Sequence, residues 1–213
     1  MQPIYLIYSL ILLGASCAPK LHEIESFEGK LVYRIQSDRI QLGDQDSLDY
    51  QIVYAKDSLL RIENFTPLGK QVFIKHLNKN KAYILMEFGE NKYAIQTIPD
   101  EHPKADAFSY QPTKKNRLIA GYQAEEMQVF LPDADTLIRM YFFTAIPNKY
   151  SEALPNAPGL PVSYFIFSND EFYRYELESI HFDEFHIDLF GIPSDYEKIS
   201  MTKFVELFNQ EKH

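Results

Sequence analysis

From Phe27 onward, apolar residues recur at every second position in short runs divided by polar turns. That is the period of half-buried β-strands. Leu31, Tyr33 and Ile35 alternate with Lys30, Arg34 and Gln36, and Tyr50, Ile52 and Tyr54 follow a polar turn at Gly43–Ser47. Leu60 and Ile62 lead to the turn Thr66-Pro67-Leu68-Gly69, after which Val72, Ile74 and His76 resume the pattern. Ala82, Ile84, Met86 and Phe88 follow Asn78-Lys79-Asn80, and Gly89-Glu90-Asn91 leads to Tyr93, Ile95 and Thr97. Pro99–Asn116 is polar, with prolines at 99, 103 and 112, and predicts a long loop. Strands are then expected around Met127, Val129 and Leu131, and over Thr136–Ile146, Val162–Phe167, Phe172–Phe182 and Phe185–Phe190. Pro147–Pro161, with its four prolines, predicts a second long loop. The tail from Ser200 places Met201, Phe204, Val205 and Phe208 on one face of a short helix. About ten or eleven short strands without helices between them predict an all-β fold with a minor helix. The expected form is an antiparallel meander, as a single curved sheet, half-barrel, barrel or sandwich.

Composition makes this pattern a folded domain. The 213 residues are 46% hydrophobic and 15% aromatic, with 15 Tyr, 16 Phe and no Trp, enough apolar area to offset chain entropy. The formal net charge of −9 repels phosphate backbones, and Lys75–Lys81 and Lys114–Arg117 do not reverse it, so no nucleic-acid partner is expected.

The first residues follow another grammar. Ile4–Leu13 is an uncharged apolar run followed by Gly14, Ala15, Ser16 and Cys17, as in a signal peptide. A membrane-spanning helix needs about 20 apolar residues, and this run is interrupted by Gly14 and Pro19. Leu13-Gly14-Ala15-Ser16-Cys17 resembles a lipobox, with Gly14 where leucine is usual. The resemblance implies cleavage before Cys17 and lipid attachment at Cys17. An ordinary secretory signal, leaving Cys17 as a free thiol, is the alternative. Cys17 is the only cysteine, so no disulfide can form within the chain. The expected organisation is a signal peptide over 1–16, a lipidated tether over 17–26, and an antiparallel β domain with a short C-terminal helix over 27–213. Two or three acyl chains suffice for membrane anchoring, each buried CH₂ contributing about 0.8 kcal/mol. Ala18, in place of aspartate after the cysteine, favours an outer-membrane lipoprotein facing the periplasm.

Four scattered segments carry a family resemblance. Arg117-Leu118-Ile119-Ala120-Gly121-Tyr122-Gln123-Ala124 resembles a strand of envelope proteins with a LolA/LolB-like fold, and Ala157-Pro158-Gly159-Leu160-Pro161-Val162 is similar to their G-L-P-G-L element. Phe27-Glu28-Gly29-Lys30-Leu31 resembles their opening strand and Ile192-Pro193-Ser194-Asp195-Tyr196 their closing one. The resemblance implies a curved antiparallel sheet wrapped around a helix or lid and enclosing an apolar cavity. It also implies handling of lipid or lipoprotein acyl chains in a Gram-negative envelope. Gln123 stands near a position where those proteins often have cysteine, so any disulfide formed there is absent here.

Catalytic motifs give little to build on. The sequence contains no G-x-S-x-G, H-E-x-x-H, P-loop or C-x-x-C pattern. Asp44, Asp46 and Asp49 lack the glycine and glutamate of a calcium loop and read as a solvated turn. On a strand, Glu184, His186 and Asp188 would share one face and His181 and Asp183 the other. Phe185, Ile187 and Leu189 would then face the core and leave the carboxylates in water, so neither a metal nor another cofactor is expected. Aromatic alternation is more informative. Ile138, Met140 and Phe142 share one face of a strand with Tyr141 and Phe143 opposite, while Tyr164, Ile166, Tyr173 and Tyr175 extend the apolar set. Strands apolar on both faces are either packed on both sides or line a cavity. These seven residues are therefore the candidate hydrophobic ligand site, with a plain packed core as the alternative. The function expected is non-enzymatic binding of a lipid or other hydrophobic molecule by a membrane-anchored domain. An interaction module or accessory subunit gripping another envelope protein is the runner-up.

Overall fold

A computed structural model describes residues 19, 21–37, 49–66, 69–88, 90–97, 107–151, 153–168 and 170–210. Cys17, the signal segment and the Gly43–Ser47 turn lie outside the described residues. Six strands run in series: β1 Glu28–Ser37, β2 Asp49–Lys56, β3 Leu59–Thr66, β4 Gly69–His76, β5 Lys81–Phe88 and β6 Asn91–Thr97. Five more follow: β7 Ser109–Ile119, β8 Tyr122–Leu131, β9 Thr136–Phe143, β10 Leu160–Ser168 and β11 Glu171–His181. A short β12, Glu197–Ser200, runs directly into helix α1, Met201–Gln210. The helix was expected from the tail's periodicity, and the ring of Phe204 meets Tyr93 edge-on at 6.2 Å.

Short polar residues close the hairpins. Asp57, Asn80, Asp135 and Asp170 all have positive φ, a region that Asn and Asp tolerate because their side chains bond locally. Ala120 (φ 46°) and Gly121 (φ 86°) turn β7 into β8. The Arg117–Ala124 segment is thus two strand ends about a tight turn, and not one strand.

All twelve strands form one curved, open sheet in the order β12-β6-β5-β4-β3-β2-β1-β11-β10-β9-β8-β7, an all-β half-barrel. It consists of two meanders, β1–β6 and β7–β11, joined edge to edge where β1 pairs antiparallel with β11. Register shifts within the β1–β11, β9–β10 and β7–β8 ladders are places where such a sheet bends. The sheet is mixed and not wholly antiparallel, because β12 lies parallel to β6.

Part of the expected Pro99–Asn116 loop is strand, since β7 begins at Ser109. Pro112 misled the reading: it is tolerated because β7 is an edge strand and its ladder shifts register between Pro112 and Asn116.

Residues paired across an antiparallel ladder share a face, so the register sorts the two sides. Leu31, Val53 and Ile62 lie on one rung, with Tyr33, Ala55, Leu60 and Leu177 on the same face; all are buried in the main core cluster. This is the inner face. The second cluster, Val72, Ile74, Leu85 and Ala94, occupies the outer face.

Each face has its own cover. On the inner face the β9–β10 connection dips into the core with Ile146 and Tyr150 fully buried and Leu154 and Ala157 nearly so. This irregular segment, not a helix, fills the space over the sheet. Tyr150 accepts a hydrogen bond from the Phe27 amide at 2.8 Å, tying the cover to the start of β1. Its exit explains the Gly159-Leu160-Pro161 sequence. A Cβ on residue 159 would lie 2.4 Å from the Phe143 carbonyl oxygen, so glycine alone allows that approach. The Leu160 amide bonds the Ile146 carbonyl at 2.8 Å, and the Pro161 carbonyl accepts from the Tyr33 hydroxyl at 3.0 Å.

The outer face is crossed by the chain between β11 and β12. Phe185 meets the Tyr54 ring edge-on at 5.2 Å, and Arg61 donates to the Leu189 carbonyl at 3.3 Å. Phe190 is 1% exposed, and Ile192 and Tyr196 pack on the outer cluster. This path carries the chain from the interior strand β11 to the far edge, where it joins β6 in parallel. The expected strand Phe185–Phe190 is therefore an extended crossing that ends in a 3-10 turn, Ile187–Phe190. It pairs with no strand and is held by single anchors.

Candidate functional site: an inner-face cleft

Between the first meander and the cover, the inner face leaves a cleft of about 320 Å³. Its floor is built rung by rung. Val53, Ile62, Phe73 and Ile84 stand opposite one another across β2 to β5. The neighbouring rung holds Gln51, Asn64 and Gln71. Tyr33, Tyr164, Ile166 and Tyr175 form a wall, while Tyr150, Ser151 and Ala153 of the cover complete the lining.

The tyrosines are fixed against one another. Tyr164 and Tyr175 stack with centroids 4.9 Å apart and planes at 9°, and Tyr33 meets Tyr164 edge-on at 5.9 Å. Burial raises the Tyr33 hydroxyl well above the ordinary phenol range. Burial does the same to Tyr164, with Tyr33 and Tyr175 adding to the rise and a hydrogen bond with Ser151 opposing it. Both phenols are neutral at any physiological pH. Among the described residues, no lysine, arginine, aspartate, glutamate or histidine lines the cleft.

Three of the seven residues expected at a ligand site, Tyr164, Ile166 and Tyr175, are brought together here. Met140 and Phe142 are fully buried in the main core, with Ile138 packed against it, so the β9 trio serves packing and not the cleft. Tyr173 bonds Glu171 at 3.2 Å and does not line the cleft. Sequence reasoning missed the first-meander floor. Gln51 and Asn64 carry no apolar signal, although Asn64 follows the inner pair Leu60 and Ile62 by the same period of two.

The acidic-histidine segment is a solvated surface. His186 Nδ1 lies 3.0 Å from an Asp188 carboxylate oxygen, with the two side chains 80% and 86% exposed. Asp183 and Glu184 are exposed as well. Ile187, expected in the core, is 59% exposed, because Phe190 takes the buried position. Among the described residues, no three His, Cys, Asp or Glu side chains are grouped to hold a metal ion.

Buried carboxylates elsewhere are satisfied structurally. Burial works to raise Glu63, but hydrogen bonds from Lys70 and Arg61 outweigh it and hold the group below its usual range. Glu126 is likewise held low, first by the Tyr141 hydroxyl and then by Thr113. A second hollow, of about 530 Å³, lies between the β2–β3 turn, Asn78, Lys79 and the crossing segment. Leu59, Ile187 and Phe190 line it beside Lys56, Asp57, Lys79 and Asp188, and Lys56 is paired with Glu28.

The fold and this cleft define a class: an open all-β half-barrel with a covered inner cleft whose described lining is apolar, aromatic and carboxamide. The sequence matches no family model and no curated protein. Among solved structures, the chain is similar to PNGF-II in a C2 and in a P21 space group, with TM-scores of 0.50 and 0.51 at 10% and 9% identity. Both alignments cover 84% of this chain but 32% and 33% of the PNGF-II chains, so it spans about a third of their length. At that identity the likeness is one of fold alone.

Proposed function

We propose that this chain is a membrane-anchored, non-enzymatic envelope lipoprotein of LolA/LolB-like type whose β domain binds a lipid or other hydrophobic molecule. One observation carries this reading: the inner-face cleft of about 320 Å³ with an apolar and aromatic lining. That volume lies at the lower end of the roughly 300–1,000 Å³ usual for small-molecule sites, which are mostly apolar with a few placed polar groups. The stacked tyrosines and Phe73 offer flat, rigid apolar walls. The described residues of the lining offer groups suited to binding: aromatic and aliphatic walls, carboxamides and hydroxyls.

Native mass spectrometry and solvent extraction of the purified domain test the reading. A hydrophobic species should travel with the protein and leave on extraction. Protein that carries none, and takes up no hydrophobic probe, would sink the proposal.

The anchor has a separate test. Intact-mass analysis of protein recovered from membranes should show cleavage before Cys17 and the added mass of a diacylated cysteine. An unmodified Cys17 thiol would remove the anchor from the proposal and leave the cleft untouched.

A further inference from the structure

One rung of the cleft floor is polar. Gln51, Asn64 and Gln71 stand opposite one another on three adjacent strands, beside an apolar rung, with Gln51 and Asn64 half-buried and Gln71 exposed. Polar residues that repeat at a single rung on a core-facing side are where function competes with packing. We propose that the ligand is an uncharged amphiphile whose amide or hydroxyl group sits on the Gln51–Asn64–Gln71 row while its apolar body lies against Tyr33, Phe73 and Ile166. The inference rests on the cleft being a ligand site.

Three facts support it. Gln51 Nε2 donates to Asn64 Oδ1 at 2.8 Å, which fixes two of the three carboxamides. A carboxamide presents both donors and an acceptor, so this pair keeps capacity to give and to receive a bond. A ligand group that does both, an amide or hydroxyl, matches it.

The adjoining rung is wholly apolar, Val53-Ile62-Phe73-Ile84, so polar and apolar ligand parts would be held one strand period apart. The third fact is that none of the described residues lining the cleft is charged, on a chain in which 24% of residues are charged. A carboxylate, phosphate or ammonium head would lose its water there without a counter-charge, which is unfavourable.

A matched series of eight-carbon probes separates the possibilities: octanamide, 1-octanol, octanoate and octylammonium, titrated at neutral pH and read by calorimetry and NMR shifts. Octanamide and 1-octanol should bind at least about tenfold tighter than either charged probe. The double variant Gln51→Leu/Asn64→Leu should abolish that preference while still binding the apolar chain. Its far-UV circular dichroism and melting temperature report whether it folds, and the wild-type series stands without it. Octanoate or octylammonium binding as tightly as octanamide would overturn the head-group proposal but leave the cleft as a hydrophobic site. Failure of all four probes to bind would instead overturn the cleft reading, and this inference with it.

Discussion

Replacing Tyr150 with alanine should lower unfolding stability by about 3–5 kcal/mol, the range for removing a fully buried aromatic side chain. Tyr150 is 0% exposed and lies edge-on to Phe27 at 5.6 Å. The ring fills the space between the β9–β10 cover and the start of β1, so its loss leaves a cavity that the sheet on one side cannot close. Tyr150→Phe isolates the hydroxyl. It keeps the ring but leaves the buried Phe27 amide without its acceptor, at a cost of about 1–3 kcal/mol. Urea unfolding of both variants measures the two values. A Tyr150→Ala midpoint within error of wild type would mean that the cover is not packed into the core.

The second large effect is expected on the other face and should be local. Phe190→Ala should also remove about 3–5 kcal/mol of packing, from the anchor that holds the crossing segment to the outer face. What lies beyond that anchor is slight: a four-residue parallel strand and a ten-residue helix. These elements should open before the main core does. Hydrogen exchange would show this as lost protection in β12, α1 and the β6 amides paired with β12. Amides in β8 to β10 should stay protected. Uniform loss across both meanders would show instead that the crossing segment is part of a single cooperative unit.

The two substitutions also explain why some of the expected site was visible in the sequence and some was not. Tyr164, Ile166 and Tyr175 alternate on strands whose inner face is apolar, and the structure places them in the cleft. Ile138, Met140 and Phe142 have the same periodicity but pack in or against the main core and not along the cleft. Alternation reports burial, and burial is common to a packed core and a cavity wall.

On β2 and β4 the more obvious apolar sets, Tyr50, Ile52, Tyr54 and Val72, Ile74, face outward. They are apolar because the crossing segment covers much of that side, where Phe185 meets Tyr54 and Ile192 and Tyr196 pack on the cluster that Val72 and Ile74 form with Leu85 and Ala94. The inner residues of those strands, Gln51, Val53, Gln71 and Phe73, stand on the opposite side and carry no comparable apolar alternation.

Apart from β12, the start of β7 and the crossing at Phe185–Phe190, the sequence by itself determined the strands, the all-β class, the Asn80 turn and the terminal helix. Each of these depends on local period and local backbone preference. Only the tertiary structure decided the pairing of β1 with β11, the covers on the two faces, the edge position that lets β7 contain Pro112, and the shared rung of Gln51, Asn64 and Gln71. Those features depend on register and on which distant segment lies over each face. A period of two shows that a strand has an apolar side, and pairing between strands determines which side becomes the interior.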